Sequence, residues 1–242
     1  MKPYAITLLA ILPAAISAQN IQLHYDFGKQ EDGLKRHFFV STFELFHPDT
    51  CGYTFLFTDF EFNAPGNPRG ASLGYFELSR EFTFPWLRHH AILRNLGIHL
   101  EYNDGQTIYA LNDSTIAGLN LGNSWLAGPE YSFHVNKLSI NTMILYKYLN
   151  GSGVPDFQWT LVWYYSLFKN KVNLIGYLDI WSQDNFFGNP QNKILVFYSE
   201  PQVWYNVSGH LALGSECKIS KNFIVGSKRV ELFPTLGVKW EF

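Results

Sequence analysis

Apolar and polar residues alternate with a period of two along most of the chain, the signature of strands with one apolar and one polar face. The pattern is cleanest at the two ends. Near the start, Ile21, Leu23, Tyr25 and Phe27 alternate with Gln22, His24 and Asp26. At the finish, Leu232, Pro234, Leu236, Val238, Trp240 and Phe242 share one face, and Phe233, Thr235, Gly237, Lys239 and Glu241 the other. Similar segments are predicted at 39–46, 53–62, 71–82, 96–103, 124–133, 140–148, 157–167, 172–181, 194–205 and 211–219. Clusters such as Asn63-Ala64-Pro65-Gly66-Asn67-Pro68 supply the turn chemistry between them. The stretch 104–122 is the least strand-like and reads as a long loop.

The last residue is a phenylalanine on the apolar face. Chain ends of soluble domains usually fray, so a hydrophobic end needs a reason. The closing strand of a transmembrane antiparallel β-barrel supplies one, with lipid outside and a polar lumen inside. The competing reading is the last strand of a soluble β-sandwich. The segments number about twelve, an even count as bacterial single-chain barrels require. With both termini periplasmic, connections near Asp49, Lys137, Asn170 and Ser208 become short periplasmic turns. Those near Asp32, Gly66, Ser114, Gly153, Asn185 and Gly226 become outward loops. The connection 85–94 falls on the periplasmic side and is long for a turn.

Residues 1–18 read as a secretory signal: Lys2, an apolar run from Ala5 to Leu12, then Pro13 and small residues up to Ala18. Residues 19–242 then form a single exported barrel domain. No later run has the length and apolarity of a membrane-spanning helix. A membrane location therefore demands a closed barrel, because an open sheet leaves backbone groups unpaired in lipid.

Composition agrees. Aromatic residues make up 17% of the chain while mean hydropathy is only −0.07, as expected when an apolar exterior cancels a polar interior. Charged residues are 16% and the net charge is −2, which gives no footprint for a nucleic-acid polymer. Cys51 and Cys217 are too few for a disulfide framework and read as two unpaired thiols unless the fold brings them together.

Ionisable residues on the polar faces carry the candidate chemistry, since charges at membrane depth must face the lumen. The solute-contact candidates are Asp59, Glu61, Tyr75, Glu77, His99, Glu101, Tyr177, Asp179, Trp181, Glu200 and Gln202. Read functionally, they form an acidic conduit with aromatic walls that stack planar solutes. Read structurally, they form a self-satisfying network in which Lys147, Lys218 and Arg80 neutralise the acids. Enzyme chemistry is not expected: HExxH and Gly-rich phosphate loops are absent from the sequence, and Ser41 and Ser215 on apolar faces lack an accompanying histidine. No metal or cofactor is predicted.

The segments STFELFHPD (Ser41 to Asp49), ASLGYFELSRE (Ala71 to Glu81), NSWLAGPEYSF (Asn123 to Phe133), SEPQVWYN (Ser199 to Asn206) and PTLGVKWEF (Pro234 to Phe242) resemble uncharacterised outer-membrane barrels grouped with the Tsx-type nucleoside-specific channels. The resemblance implies a monomeric twelve-stranded barrel in the outer membrane of a Gram-negative bacterium, with a narrow lumen. It further implies porin-like passive passage of small polar, nucleoside-like solutes. Against this stand a closed structural barrel whose loops bind a partner and, behind it, a barrel hydrolase. The expected partners are outer-membrane lipid, a small polar solute and the barrel-assembly machinery, for which Trp240 and Phe242 are the assembly signal. Deleting Phe242 should lower the amount of heat-modifiable, membrane-assembled protein without reducing secretion, as read by fractionation and gel mobility; unchanged assembly would remove that role.

Overall fold

The computed structural model describes residues 18–28, 36–64, 70–112, 115–151, 155–185, 192–224 and 227–242. Their strands are β1 (Ala18–Asp26), β2 (Phe38–Asp49), β3 (Gly52–Phe62), β4 (Ala71–Thr83), β5 (Leu96–Asn112), β6 (Thr115–Asn120), β7 (Ser124–Val135), β8 (Leu138–Leu149), β9 (Asp156–Leu167), β10 (Val172–Asp184), β11 (Lys193–Ser199), β12 (Gln202–Asn206), β13 (Leu211–Lys221) and β14 (Val230–Glu241). They form one antiparallel sheet in which β14 returns to β1, with Ile21 opposite Trp240 and Asp26 opposite Thr235. The molecule is therefore a closed barrel. Closure removes the edge strands that an open sheet would present.

Fourteen strands make twelve staves. Both β6 and β7 pair with β5, and both β11 and β12 lie between β10 and β13. The second interruption falls at Glu200-Pro201, where proline supplies no N–H to the ladder. Register survives the gap: Leu178 faces Ser199 and Ile175 faces Gln202. The Glu200 N–H donates to the Tyr177 carbonyl at 3.1 Å, and the Cys217 N–H to the Pro201 carbonyl at 3.1 Å. Gly176 allows the close approach here; a Cβ on it would lie 2.5 Å from the Glu200 carbonyl oxygen. The expected single strand 194–205 is thus split in two without losing its place.

The expected long loop at 104–122 is corrected. β5 continues to Asn112 and turns back as β6, with Ile108 opposite Gly118. Polar and glycine residues break the apolar alternation there, so periodicity alone concealed a ribbon held by its backbone ladder. The long connection at 85–94 is compact, built on 3-10 turns at Pro85–Leu87 and Leu93–Asn95. Arg88 donates from it to the Thr50 carbonyl at 2.6 Å. The same rim carries the short turns, the start of β1 and the C-terminus, where the Phe242 N–H meets the Gln19 carbonyl at 3.0 Å. The proposed leader lies outside the described residues except for Ala18, which opens β1, and the tips of all six expected outward loops fall partly or wholly outside them as well.

Alternation places side chains as expected. On β14, Leu236 is 63% exposed while its neighbour Thr235 is 0% exposed. On β9, Phe157 and Trp159 point outward, and Gln158, Thr160 and Ser166 inward. Outward charges keep to the rims. Asp49 and Arg80 pair at 2.7 Å beside the turns, and the guanidinium holds the Asp49 carboxyl down at about 2. Asp104 and Lys221 lie toward the opposite rim. Aromatic pairs mark both edges of the apolar belt, Tyr102 with Trp125 at 4.6 Å and Phe84 with Trp86 at 5.2 Å between centroids. Among the described residues, no helix is long and apolar enough to cross a membrane. Cys51 is in a turn and Cys217 on the outer wall; both are free.

Because adjacent residues of β9 face opposite sides, Leu161→Arg should destabilise the barrel in lipid by about 2–4 kcal/mol if it lies near the midplane. Thr160→Arg, whose side chain starts beside Asp179, should cost less. Equal losses in urea unfolding from lipid vesicles would overturn the assignment of faces.

Candidate functional site: the barrel interior

Every inward position of a twelve-stave barrel must be filled by a side chain or by water. Polar groups shielded there need partners, because an unpaired buried donor or charge costs several times what a hydrogen bond returns. The interior meets this need with networks that cross from wall to wall.

One network begins on β5. His99 lies 2.9 Å from Glu101 through Nε2 and 2.9 Å from Glu130 on β7 through Nδ1. Both partners are acceptors when ionised, so an imidazolium with two N–H donors matches this geometry. Tyr53 on β3 donates to Glu130 at 2.7 Å, and Asn103 donates to Glu101 at 2.9 Å. A second network links β1 to its neighbours. His24 meets Thr235 and Gln22 at 2.9 Å each, and its ring packs edge-on against Trp204 at 5.5 Å. Lys239 sits 4.7 Å over the Trp204 ring and 3.4 Å from Glu241.

Nearer the loop rim, Arg36 pairs with Asp26 at 2.6 Å and Glu61 at 3.2 Å and lies against the rings of Phe38 and Phe233. On the far wall, Lys193 pairs with Asp156 at 3.0 Å and Asp184 at 2.7 Å. Between them, Lys218 on β13 reaches Asp59 on β3 at 3.3 Å and Glu200 at 3.4 Å, with Glu216 at 3.9 Å. Thr42 donates to the other oxygen of Asp59.

The sequence-predicted residues all project inward, but they do not form one cluster. Asp59 and Glu61 are neutralised by Lys218 and Arg36. Tyr75 donates to Glu77 at 2.8 Å, and Thr160 to Asp179 at 2.5 Å; neither carboxylate has a salt bridge within 4 Å among the described residues. Trp181 donates to Gln183 at 3.0 Å, lies under the Lys147 ammonium at 4.6 Å, and meets Phe223 from the β13–β14 connection at 6.0 Å. Gln202 bridges Trp204 and Glu216 at 2.8 Å each. Glu200 accepts from Tyr198 at 2.5 Å.

Sequence reasoning missed Glu130, Asp156, Arg36 and Lys193. Glu130 shares parity with Ser124 and Leu126 on β7, a signal that was available; Arg36 stands outside any strand and gave none. It also missed the apolar filling. Leu126, Met143 and Leu145 form one buried inner cluster, and Phe38, Val40 and Ala64 another.

These features define a class: a closed β-barrel with an apolar outer belt and a charged interior richer in acids than bases. The chain belongs to the family described as Domain of unknown function (DUF5020), whose model matches residues 18–242. No curated protein matches the sequence. Among solved structures, the NanC porin is similar with a TM-score of 0.56 at 8% identity, covering 93% of this chain and 100% of that one. Omp33 of Acinetobacter baumannii gives 0.42 at 9% identity, covering 93% and 98%. The autotransporter NalP translocator domain of Neisseria meningitidis gives 0.45 at 11%, covering 93% and 88%. The structural neighbours are bacterial outer-membrane barrels, and at such identities the likeness concerns the fold.

His99 is the hinge of its network, with its side chain 3% exposed, whereas Lys193 is 32% exposed. His99→Ala leaves two buried carboxylates without their shared donor and should destabilise by about 3–5 kcal/mol. Lys193→Ala should cost about 1 kcal/mol or less. Urea titrations of the folded protein measure both.

Proposed function

We propose that this chain is a bacterial outer-membrane channel for passive passage of small polar solutes, with the turn rim and both chain ends periplasmic. The observation that carries the reading is the pair Glu77 and Asp179. They sit in the middle of the barrel on nearly opposite walls, partly accessible to water, and without a salt bridge of their own among the described residues. A self-satisfying plug would have matched them with bases, as Asp59 and Glu61 are matched. Unmatched carboxylates at a water-filled constriction attract cations, leave neutral solutes unhindered and repel phosphorylated ones. Nucleoside-like solutes enter the proposal through the resemblance to Tsx-type channels, and Tyr75, Tyr177 and Trp181 supply faces on which a planar ring would stack. The reading assigns no catalytic role to any residue. It includes insertion by the barrel-assembly machinery through Trp240 and Phe242, and function as a monomer.

One observation favours a second reading, a closed structural barrel. Many inward side chains are fully buried, including Leu145, Val196, Trp204 and Thr235.

Planar-bilayer recording separates the two. The channel reading expects small, weakly cation-selective conductance, with nucleosides blocking more than nucleotides. Glu77→Gln combined with Asp179→Asn should reduce the cation preference. Glu61→Gln, whose charge is answered by Arg36, should change it less. Absence of conductance from well-folded protein would replace the channel with the closed barrel.

A further inference from the structure

The interior is unevenly filled. Lys218 and Asp59 are not neighbours along the wall: β14, β1 and β2 lie between their strands, so their 3.3 Å contact is a chord across the lumen. Behind the chord, the wall is packed tight. Gln22, His24, Phe38, Val40, Phe233 and Thr235 are each at most 3% exposed. In front of it, Tyr75, Glu77, Lys147, Tyr177, Asp179 and Trp181 keep surface that water can reach, although His99 and Asn103 on β5 and Met143 and Leu145 on β8 are each at most 5% exposed. The chord is anchored at both ends. Lys218 is also held by Glu200 and Glu216, and Asp59 by the Thr42 hydroxyl.

We propose that Lys218 and Asp59 form a fixed partition that confines passage to an off-axis route beside the β4 and β10 walls, which makes Lys218 the residue that sets its cross-section. A lysine held by three carboxylates loses its freedom to swing, and each carboxylate would stand uncompensated if it moved away. Lys147 is the base on the same side of the chord as these acids, bonded to Gln158 at 3.0 Å and lying over the Trp181 ring. The inference rests on the channel reading for its conductance, while its geometry can be tested without conduction.

The test uses full-length protein in a Cys51→Ser, Cys217→Ser background, with one reporter cysteine at Asp179 or at Thr235. A small cationic methanethiosulfonate is added to vesicle-embedded barrels, and heat-modifiable gel mobility confirms that each variant is folded. With the partition intact, Asp179→Cys should react at least tenfold faster than Thr235→Cys. Asp59→Asn, which cuts the chord and leaves Lys218 its other partners, should narrow that gap severalfold, and Lys218→Met should do the same. Lys218→Arg should preserve it. In bilayers, Asp59→Asn should raise single-channel conductance severalfold even though it removes an acid. Equal reactivity at the two positions with Lys218 and Asp59 unchanged, or a gap that survives both chord-breaking variants, overturns the partition. Lack of labelling at both positions overturns it too, since the route in front would not be wet. Conduction with equal labelling removes the partition and keeps the channel. A gap that the variants relieve, without conduction, keeps the partition and removes the channel.

Discussion

Backbone hydrogen bonding is the constraint on which the rest depends. A sheet with an apolar outer face gains nothing in lipid if its two edge strands expose unpaired N–H and C=O groups, each costing several kcal/mol. The pairing of β14 with β1 removes that cost, and its demands reach far along the chain. The C-terminal strand must keep its alternation to the end, so Trp240 and Phe242 lie on the outer face. Proline at position 201 must be bridged by its neighbours, so Gly176 comes close to the Glu200 carbonyl. The β5–β6 ribbon continues past Thr107, where pairing with β4 ends, and its own ladder satisfies the extra backbone.

Closure also fixes the chemistry inside. Alternation delivers a polar side chain to the interior at about every second residue, and the lumen of a twelve-stave barrel is narrow enough for groups on different walls to touch. Charges that would be solvated in a wide pore are therefore driven to pair across it. Tyr53 with Glu130, His24 with Trp204 and Lys218 with Asp59 each link strands that share no ladder. Such contacts act as struts. They resist collapse of the barrel's cross-section and make interior substitutions more costly than exposed ion pairs would suggest.

The fold was legible because it rests on period and closure, both written locally. The faces of β1, β9 and β14 follow from parity alone. Parity failed where local composition departs from the pattern, as in the β5–β6 ribbon rich in Asn, Thr and Gly, and at Pro201. The site was legible only in part, because parity reports that a side chain faces inward and not what it meets there. Asp59 and Glu77 look equivalent in sequence, each inward and each in an aromatic strand. One is answered by a lysine 159 residues away and the other has no salt bridge among the described residues. That difference depends on shear and diameter, which set which residues face each other across the lumen and which no single strand encodes.

The apolar filling bears on the selectivity proposed for the barrel. Leu126, Met143, Leu145 and Val196 occupy inward positions where a wide aqueous pore would carry polar groups. They narrow the lumen and lower the dielectric around the inward carboxylates. In the proposed channel a cation would then meet a strong local field over a short stretch, where fixed charges are less screened than at the mouths. Tyrosines that hydrogen-bond these acids, Tyr75 on Glu77 and Tyr198 on Glu200, hold the charges in place. Both stand at inward positions beside these acids, so in the proposed channel one side chain would both fix an acid and line the passage. Charge and stacking surface are thereby coupled in a narrow barrel. A substitution that removes a tyrosine hydroxyl leaves the ring but frees the carboxylate, and it should alter ion preference more than the passage of a neutral planar solute.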